Sequence, residues 1–468
     1  MARTDVDAQQ IRELLAETLP ALIHKHGAPG ATAGVLIDRE IVDAAAGVLN
    51  LGTGVEATTD SLFQIGSITK VWTATLVMQL VDEGLLDLDE PIRKHLPEFT
   101  IADEQAAGAI TARQLLSHQA GFEGDLFTDT GRGEDCVEKY VATLTETPQL
   151  FTPGSQFSYN NAGYVVLGRL VEVLRGKPYD QALTEHLIQP LDLAHTAPGP
   201  YEALLHRAAL GHIPGPDGKP VPAPIWSMAR SNAPAGSQLS MSAADLLRFA
   251  QLHIADGHVA GGKQVLSENS VQAMQQIQVE VPELGLLGDA WGLGWEIDET
   301  PAGRMVSHDG STIGQNAFLR VIPELGIAVT LLTNGGDVMA IYRELFDILF
   351  EKLSGKKLLK PLPVPEGEPA LVDEQTAARF LGTYSASVLD MVVSQDEAGL
   401  LWIDEIPKGL FVELGQPPTR SAVVPHRGTG LVTMEKRMGT HFRYAFLGDD
   451  GSGRAQFLHT GRAMPRST

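Results

Sequence analysis

The 468-residue chain is 43% hydrophobic, enough to build one large and one smaller unit, each with its own core. Its formal charge of -23 at pH 7 excludes nucleic acid and an anionic membrane surface as partners, because both would repel it. The single cysteine, Cys136, excludes an intramolecular disulfide and a thiolate metal site, and no apolar run reaches the ~18 residues of a membrane span.

The first stretch, Met1 to Gly30, is charged throughout and has no apolar leader core. Its Ile11, Leu14, Leu15, Leu19 and Leu22 form one stripe of an amphipathic helix. A cytoplasmic location is the expectation. Ala33 to Ile37 and Ile41 to Ala46 read as a hairpin turning at Asp38-Arg39-Glu40. The segment Val71 to Val81 is apolar on nearly every side and predicts a helix in the middle of a domain, ended at Gly84. Thr111 caps a short helix that ends at Ser117-His118-Gln119-Ala120-Gly121, and the turn-rich Pro153 to Asn161 leads into a helix over Ala162 to Leu174. A Pro-rich loop, Pro214 to Pro224, is placed to cover a cleft, and Ser242 caps a helix through His253.

Strands are expected at Trp291 to Ile297, Arg304 to His308, Asn316 to Ile322 and Ile327 to Leu332, followed by a helix over Val338 to Leu353. Pro361, Pro363, Pro365 and Pro369 mark a linker. Beyond it, alternating runs at Met391 to Ser394, Leu400 to Ile403, Leu431 to Glu435, Phe442 to Leu447 and Gln456 to His459 predict a small β-barrel or sandwich.

Chemistry concentrates at Ser67-Ile68-Thr69-Lys70. A Ser three residues before a Lys puts hydroxyl and amine on one helix face, a nucleophile beside a base. The helix N-terminus aims its N–H groups at whatever Ser67 attacks. A second match to the spacing, Ser354 to Lys357, falls at a fraying helix end before the prolines and is discounted. Two more stretches stand out, Tyr159 to Asn161 and His308-Asp309-Gly310 on a strand. There is no GxSxG elbow, and of the 14 histidines only His24 and His26 sit close together, too close to share a helix face, so neither metal nor cofactor is expected.

These three stretches, SxxK, YxN and a strand triplet ending in Gly, resemble the motifs of the serine β-lactamase and penicillin-binding-protein superfamily. Their order and spacing over residues 10 to 350 are most similar to the branch of class C β-lactamases, DD-peptidases, D-aminopeptidases and esterases. Gln64-Ile65-Gly66, Gly236-Ser237 and Gly310-Ser311 support the likeness. It implies an α+β fold, an antiparallel sheet flanked by helices plus an all-helical region over 1-355. A 356-371 linker and a small all-β, lipocalin-like unit over 372-468 would follow.

The resemblance also implies roles. Ser67 would be acylated, with Lys70 or Tyr159 as its base. The backbone of Ser67 and Ser311 would form the oxyanion hole. Asn161 would hold the substrate carbonyl or orient Lys70, and His308 and Gly310 would line a strand edge for an extended substrate. Class C β-lactamases carry Lys where His308 stands, and a neutral imidazole attracts a substrate carboxylate less. The expected activity is therefore an esterase or amidase acting on a small acyl substrate, with acyl transfer close behind. D-aminopeptidase, DD-peptidase or weak β-lactamase activity follows, and a non-catalytic ligand-binding homologue is the alternative of another class. A peptidase for free C-termini should place an Arg or Lys at the cleft, with Arg230 a candidate.

Overall fold

A computed structural model describes residues 4–259, 261–285, 287–365, 371–413, 415–428, 430–437 and 439–467. Part of the expected linker, 366–370 with Pro369, lies outside the described residues. Helix α1, Ala8–Lys25, opens on Asp7, which forms a reciprocal capping box with Gln10. It buries Ile11, Leu15, Leu19, Leu22 and Ile23; of the expected stripe Leu14 is only partly buried, and Ile23 joins instead.

Strands β1, Gly30–Ile37, and β2, Glu40–Asn50, form a hairpin whose two-residue turn, Asp38 and Arg39, takes positive φ at both positions. Every residue of β1 is buried, because β1 runs through the middle of a sheet covered on both faces. The sheet is completed by β3, Ala290–Trp291; β4, Glu296–Thr300; β5, Gly303–Ser311; β6, Asn316–Ile322; and β7, Ile327–Thr333. Its nine strands are all antiparallel, in the order β2-β1-β7-β6-β5-β4-β3 flanked by the two-residue strands Val55–Glu56 and Val279–Glu280. Two distant segments, residues 30–56 and 279–333, build it.

One correction concerns Trp291 to Ile297, expected as a single strand. Trp291 pairs with Glu296 instead, and Gly292 N–H donates to Trp295 O, so the segment is a tight hairpin. Gly292 and Gly294 permit that reversal.

Helix α1 and the later amphipathic helix Val338–Ser354 pack on one sheet face around Leu15, Phe318, Val329, Leu345 and Phe346. Ser354, the discounted serine, ends that helix with its hydroxyl donating to Phe350 O. The other face holds the larger core. Helix α2, Thr69–Asp82, runs through it, buried at every position up to Leu80. Trp72 of α2 stacks on Phe249 at 3.9 Å, which ties α2 to α4, Ala243–Ile254. Between them in sequence, α3, Asn161–Arg175, packs against α2. The Pro-rich stretch forms a two-stranded ribbon, His212–Pro214 with Pro220–Pro222.

The C-terminal part is an eight-stranded antiparallel meander: β8, Gly382–Ser385; β9, Leu389–Gln395; β10, Leu401–Pro407; β11, Thr419–His426; β12, Gly430–Thr433; β13, Arg443–Leu447; β14, Phe457–His459; and β15, Ala463–Pro465. A bridge between Tyr384 and Arg466 and a hydrogen bond from Ser467 N–H to Thr383 O bring the last strand back to the first. The sheet thus nearly closes into a barrel around Tyr384, Leu401, Tyr444 and Leu458. No helix among the described residues is long and apolar enough to cross a membrane.

Candidate active site

Ser67 sits in a 3-10 turn, Gly66–Ile68, that feeds directly into α2. The turn is wedged against β5 so tightly that two glycines are obligatory. A Cβ on Gly66, itself at φ 51°, would lie 2.5 Å from Ser311 N, and one on Gly310 would lie 1.8 Å from Ile65 O. This close approach sets the backbone of Ser67 beside that of Ser311. β4 pairs with β5 only as far as Ser307, so beyond it the β4 side of β5 is left to the Ile65–Ser67 turn. Thr312 N–H donates to Gln315 O, which makes the next pair, Ser311 with Asn316, one whose N–H groups point away from each other. The Ser311 N–H is thereby turned toward the Ser67 side.

Lys70 is buried one helical turn after Ser67. Its Nζ donates to Ser67 Oγ at 3.0 Å and to Ala235 O at 2.6 Å, and stands 5.0 Å from the centre of the Tyr159 ring. Burial, assisted by the Arg462 guanidinium, lowers its pKa well below that of a free lysine. Tyr159, 6% exposed, moves the opposite way: burial raises its pKa, against a hydrogen bond with Ser67 that favours the phenolate. Burial thus disfavours the charged form of both groups, the lysinium and the phenolate.

Asn161 begins α3, but its neighbour Asn160 is the cap, accepting the Gly163 N–H through Oδ1 at 2.7 Å. The Asn161 amide donates to Asp125 Oδ1 at 2.7 Å, while Lys70 finds its partners in Ser67 and Ala235. His308 is 1% exposed and lies under the cleft surface among Tyr159 and Trp291. Its Nδ1–H donates to Asp309 O, and burial drops its pKa to about 3, so the ring is neutral. Gly310 is buried against the Ser67 turn, and only Ser311 of this strand end is exposed.

Sequence reasoning missed three groups. His118 stacks its ring on Tyr159 at 4.3 Å; its carbonyl accepts Ser158 N–H and its Nδ1 accepts Asn160 N–H. Arg462, on the turn between β14 and β15, places its guanidinium 4.7 Å from the Tyr159 ring centre and donates through Nε to Asp125 Oδ2 at 2.9 Å. Asp125 holds Arg462 and Asn161 at once. The same turn fixes the tyrosine's backbone: Tyr159 N–H donates to Gly461 O, Ala463 N–H to Ser158 Oγ, and His459 Nε2 to Phe157 O. The far C-terminal barrel therefore completes the site. Arg230, the candidate cleft cation, is instead tied to Asp180 and to Arg132 O.

The beta-lactamase family profile matches residues 9–351. Penicillin-binding protein 4 of Amycolatopsis lactamdurans is 40% identical over 369 residues, 79% of this chain and 96% of that protein. The crystal structure of SurE superposes with a TM-score of 0.79 at 30% identity, covering 98% of this chain and all of SurE, and SurE crystallised with D-Leu matches nearly as well, at 0.78. The octameric penicillin-binding protein homologue from Pyrococcus abyssi shares the fold, at a TM-score of 0.63 and 21% identity over 95% of this chain and 97% of its own. With the family profile spanning most of the chain and a penicillin-binding protein matched almost end to end, this protein belongs to the β-lactamase family.

Proposed function

We propose that the protein is a serine acyl hydrolase and acyltransferase that works through an acyl-enzyme on Ser67. The observation that carries this is the buried Lys70 amine 3.0 Å from the Ser67 hydroxyl. As a neutral amine, Lys70 takes the Ser67 proton while Oγ attacks the carbonyl of an ester or amide. The oxyanion is received by the backbone N–H groups of Ser67 and Ser311. Tyr159, a phenol at rest, gives its proton to the leaving group and is reprotonated from the lysinium, which leaves acylated serine and neutral Lys70. Water or an amine then attacks the ester, and the same groups run in reverse.

Arg462 shifts the choice from hydrolysis alone toward transfer to an acceptor that carries a carboxylate. Its side chain is 38% exposed, so a carboxylate can share the guanidinium with Asp125. SurE has been crystallised with D-Leu, and the likeness covers 97% of this chain. A D-amino acid is therefore the acceptor proposed here, with its carboxylate on Arg462 and its amine at the acyl-enzyme. The test is product analysis with a peptidyl ester plus D-Leu, L-Leu or neither. Acyl-D-Leu in excess over acyl-L-Leu is expected; hydrolysis alone, unaffected by either amino acid, contradicts transfer.

A further inference from the structure

We propose that a large cavity, walled by residues two positions on from segments packed against the Ser67 turn, receives the far end of the acyl group and selects an apolar chain that carries a cationic amine. This rests on the acyl-enzyme reading above and adds the chemistry of the acyl donor. The cavity holds about 820 Å³ and is lined on its apolar side by Phe127, Val137, Tyr179, Tyr201, Trp226 and Ile313. Pockets of about 300–1,000 Å³ suit ligands of several linked groups.

Its position ties it to the nucleophile. Arg230, Asn232 and Ala233 form part of one wall, and Ala235 O, two residues on in the same turn, is the acceptor of Lys70. Gln238 and Ile313, also in the lining, each stand two residues from a residue packed on the nucleophile's turn: Gly236, where a Cβ would be 2.9 Å from Ser67 N, and Ser311. Both segments run from the Ser67 turn to the cavity wall, and the acyl chain of this proposal follows them. Tyr201, Leu204 and Ile225 leave large apolar surfaces exposed at this place, which such a chain would cover.

Charge and hydrogen bonding select the amine. Five carboxylates, Asp129, Glu134, Glu172, Asp180 and Glu202, line the cavity against two guanidiniums, Arg132 and Arg230. Arg230 is paired with Asp180, and Glu172 with Arg169 from outside the cavity. That leaves Asp129, Glu134 and Glu202 facing Arg132, an excess of negative charge. Asn232 in the wall has its Oδ1 buried with no hydrogen-bond partner among the described residues, an acceptor waiting for an N–H donor.

The test uses the full chain and four p-nitrophenyl esters: acetyl, octanoyl, 8-amino-octanoyl and 7-carboxyheptanoyl. The amino ester should exceed octanoyl in kcat/KM by about fivefold, the worth of a partly exposed ion pair, and the carboxylated ester should be poorest. The double variant Asp129→Asn/Glu202→Gln should bring the amino ester down to the octanoyl level. Ser227→Trp, which fills the cavity, should remove the advantage of all long chains, and both variants should turn over acetyl ester as the wild type does. Equal rates for the three long esters, or a preference for the carboxylated one, would overturn the inference while acetyl turnover by Ser67 stood. Loss of acetyl turnover in the wild type, with no acyl group on Ser67, would instead bring down the acyl-enzyme reading and this inference with it.

Discussion

His118 grips Tyr159 from both sides of the chain: its carbonyl takes the N–H of Ser158 at 2.8 Å and its Nδ1 the N–H of Asn160 at 3.0 Å, with the two rings stacked between. To do so it adopts a left-handed backbone, φ 58°, unusual for a residue with a side chain. Accepting at Nδ1 fixes the proton on Nε2, and burial keeps the ring neutral. His118 is thus a positioning residue for the phenol. His118→Phe keeps the stack but strands the Asn160 N–H, and should lower kcat by about 10²-fold with KM little changed. His118→Asn offers an acceptor and tolerates the backbone, and should keep most of the activity. Steady-state kinetics with thermal melts of both variants checks this.

Removing the cation at Arg462 should move the pH profile. Arg462 helps hold the Lys70 pKa down, so Arg462→Ala raises it, and the acid limb of kcat/KM moves to higher pH. Arg462→Lys should restore the limb in part without restoring the two-pronged grip on a carboxylate. Profiles from pH 5 to 10 on a neutral ester read the first effect. Transfer to D-Leu reads the second.

Lys70 itself costs stability. Its folded pKa lies far below the unfolded 10.5, so the unfolded chain binds one more proton in the interval between the two values. Above 10.5 the penalty vanishes; it grows as pH falls and is complete below the folded value. Lys70→Met should therefore be inactive yet more stable than the wild type at pH 7, by about 0.5–2 kcal/mol, the range seen when strained functional sites are relieved. Denaturant melts at pH 7 and 10 test the sign: the gain should shrink at the higher pH.

Gly310→Ala should disable the oxyanion site. The added methyl would fall 1.8 Å from Ile65 O, and backbone must move to admit it. Separating the Ser67 and Ser311 amides should cost at least about 10²-fold in kcat, the scale of one lost oxyanion donor. Acylation rates by rapid quench, with circular dichroism to show retained structure, check the outcome.

The placing of Ser67, Lys70 and Tyr159 together was legible because each motif is local: one helical turn sets Ser67 against Lys70, and a turn-rich loop announces the helix after Tyr159. The sheet and the terminal helices were legible from alternation and stripe for the same reason. What joins distant segments was not. Arg462 reaches Asp125 across 337 residues, and nothing in Thr460-Gly461-Arg462 distinguishes that turn from other surface turns. His118 was visible only as part of a helix end, since its purpose depends on the Ser158–Asn160 backbone that lands on it. The two adjacent asparagines divide their labour, Asn160 as cap and Asn161 as partner of Asp125, by backbone geometry that their side chains do not reveal. Gly292 and Gly294 broke an expected strand because glycine's freedom outweighed the flanking apolar pattern.

The most direct measurement is intact-mass analysis of the protein quenched during turnover of an acyl p-nitrophenyl ester, followed by peptide mapping. The account predicts one added acyl group on the peptide holding Ser67, its loss in Ser67→Ala, and its accumulation when Tyr159→Phe slows the proton transfers. Turnover with no acyl adduct, or an unchanged rate and adduct in Ser67→Ala, would contradict it.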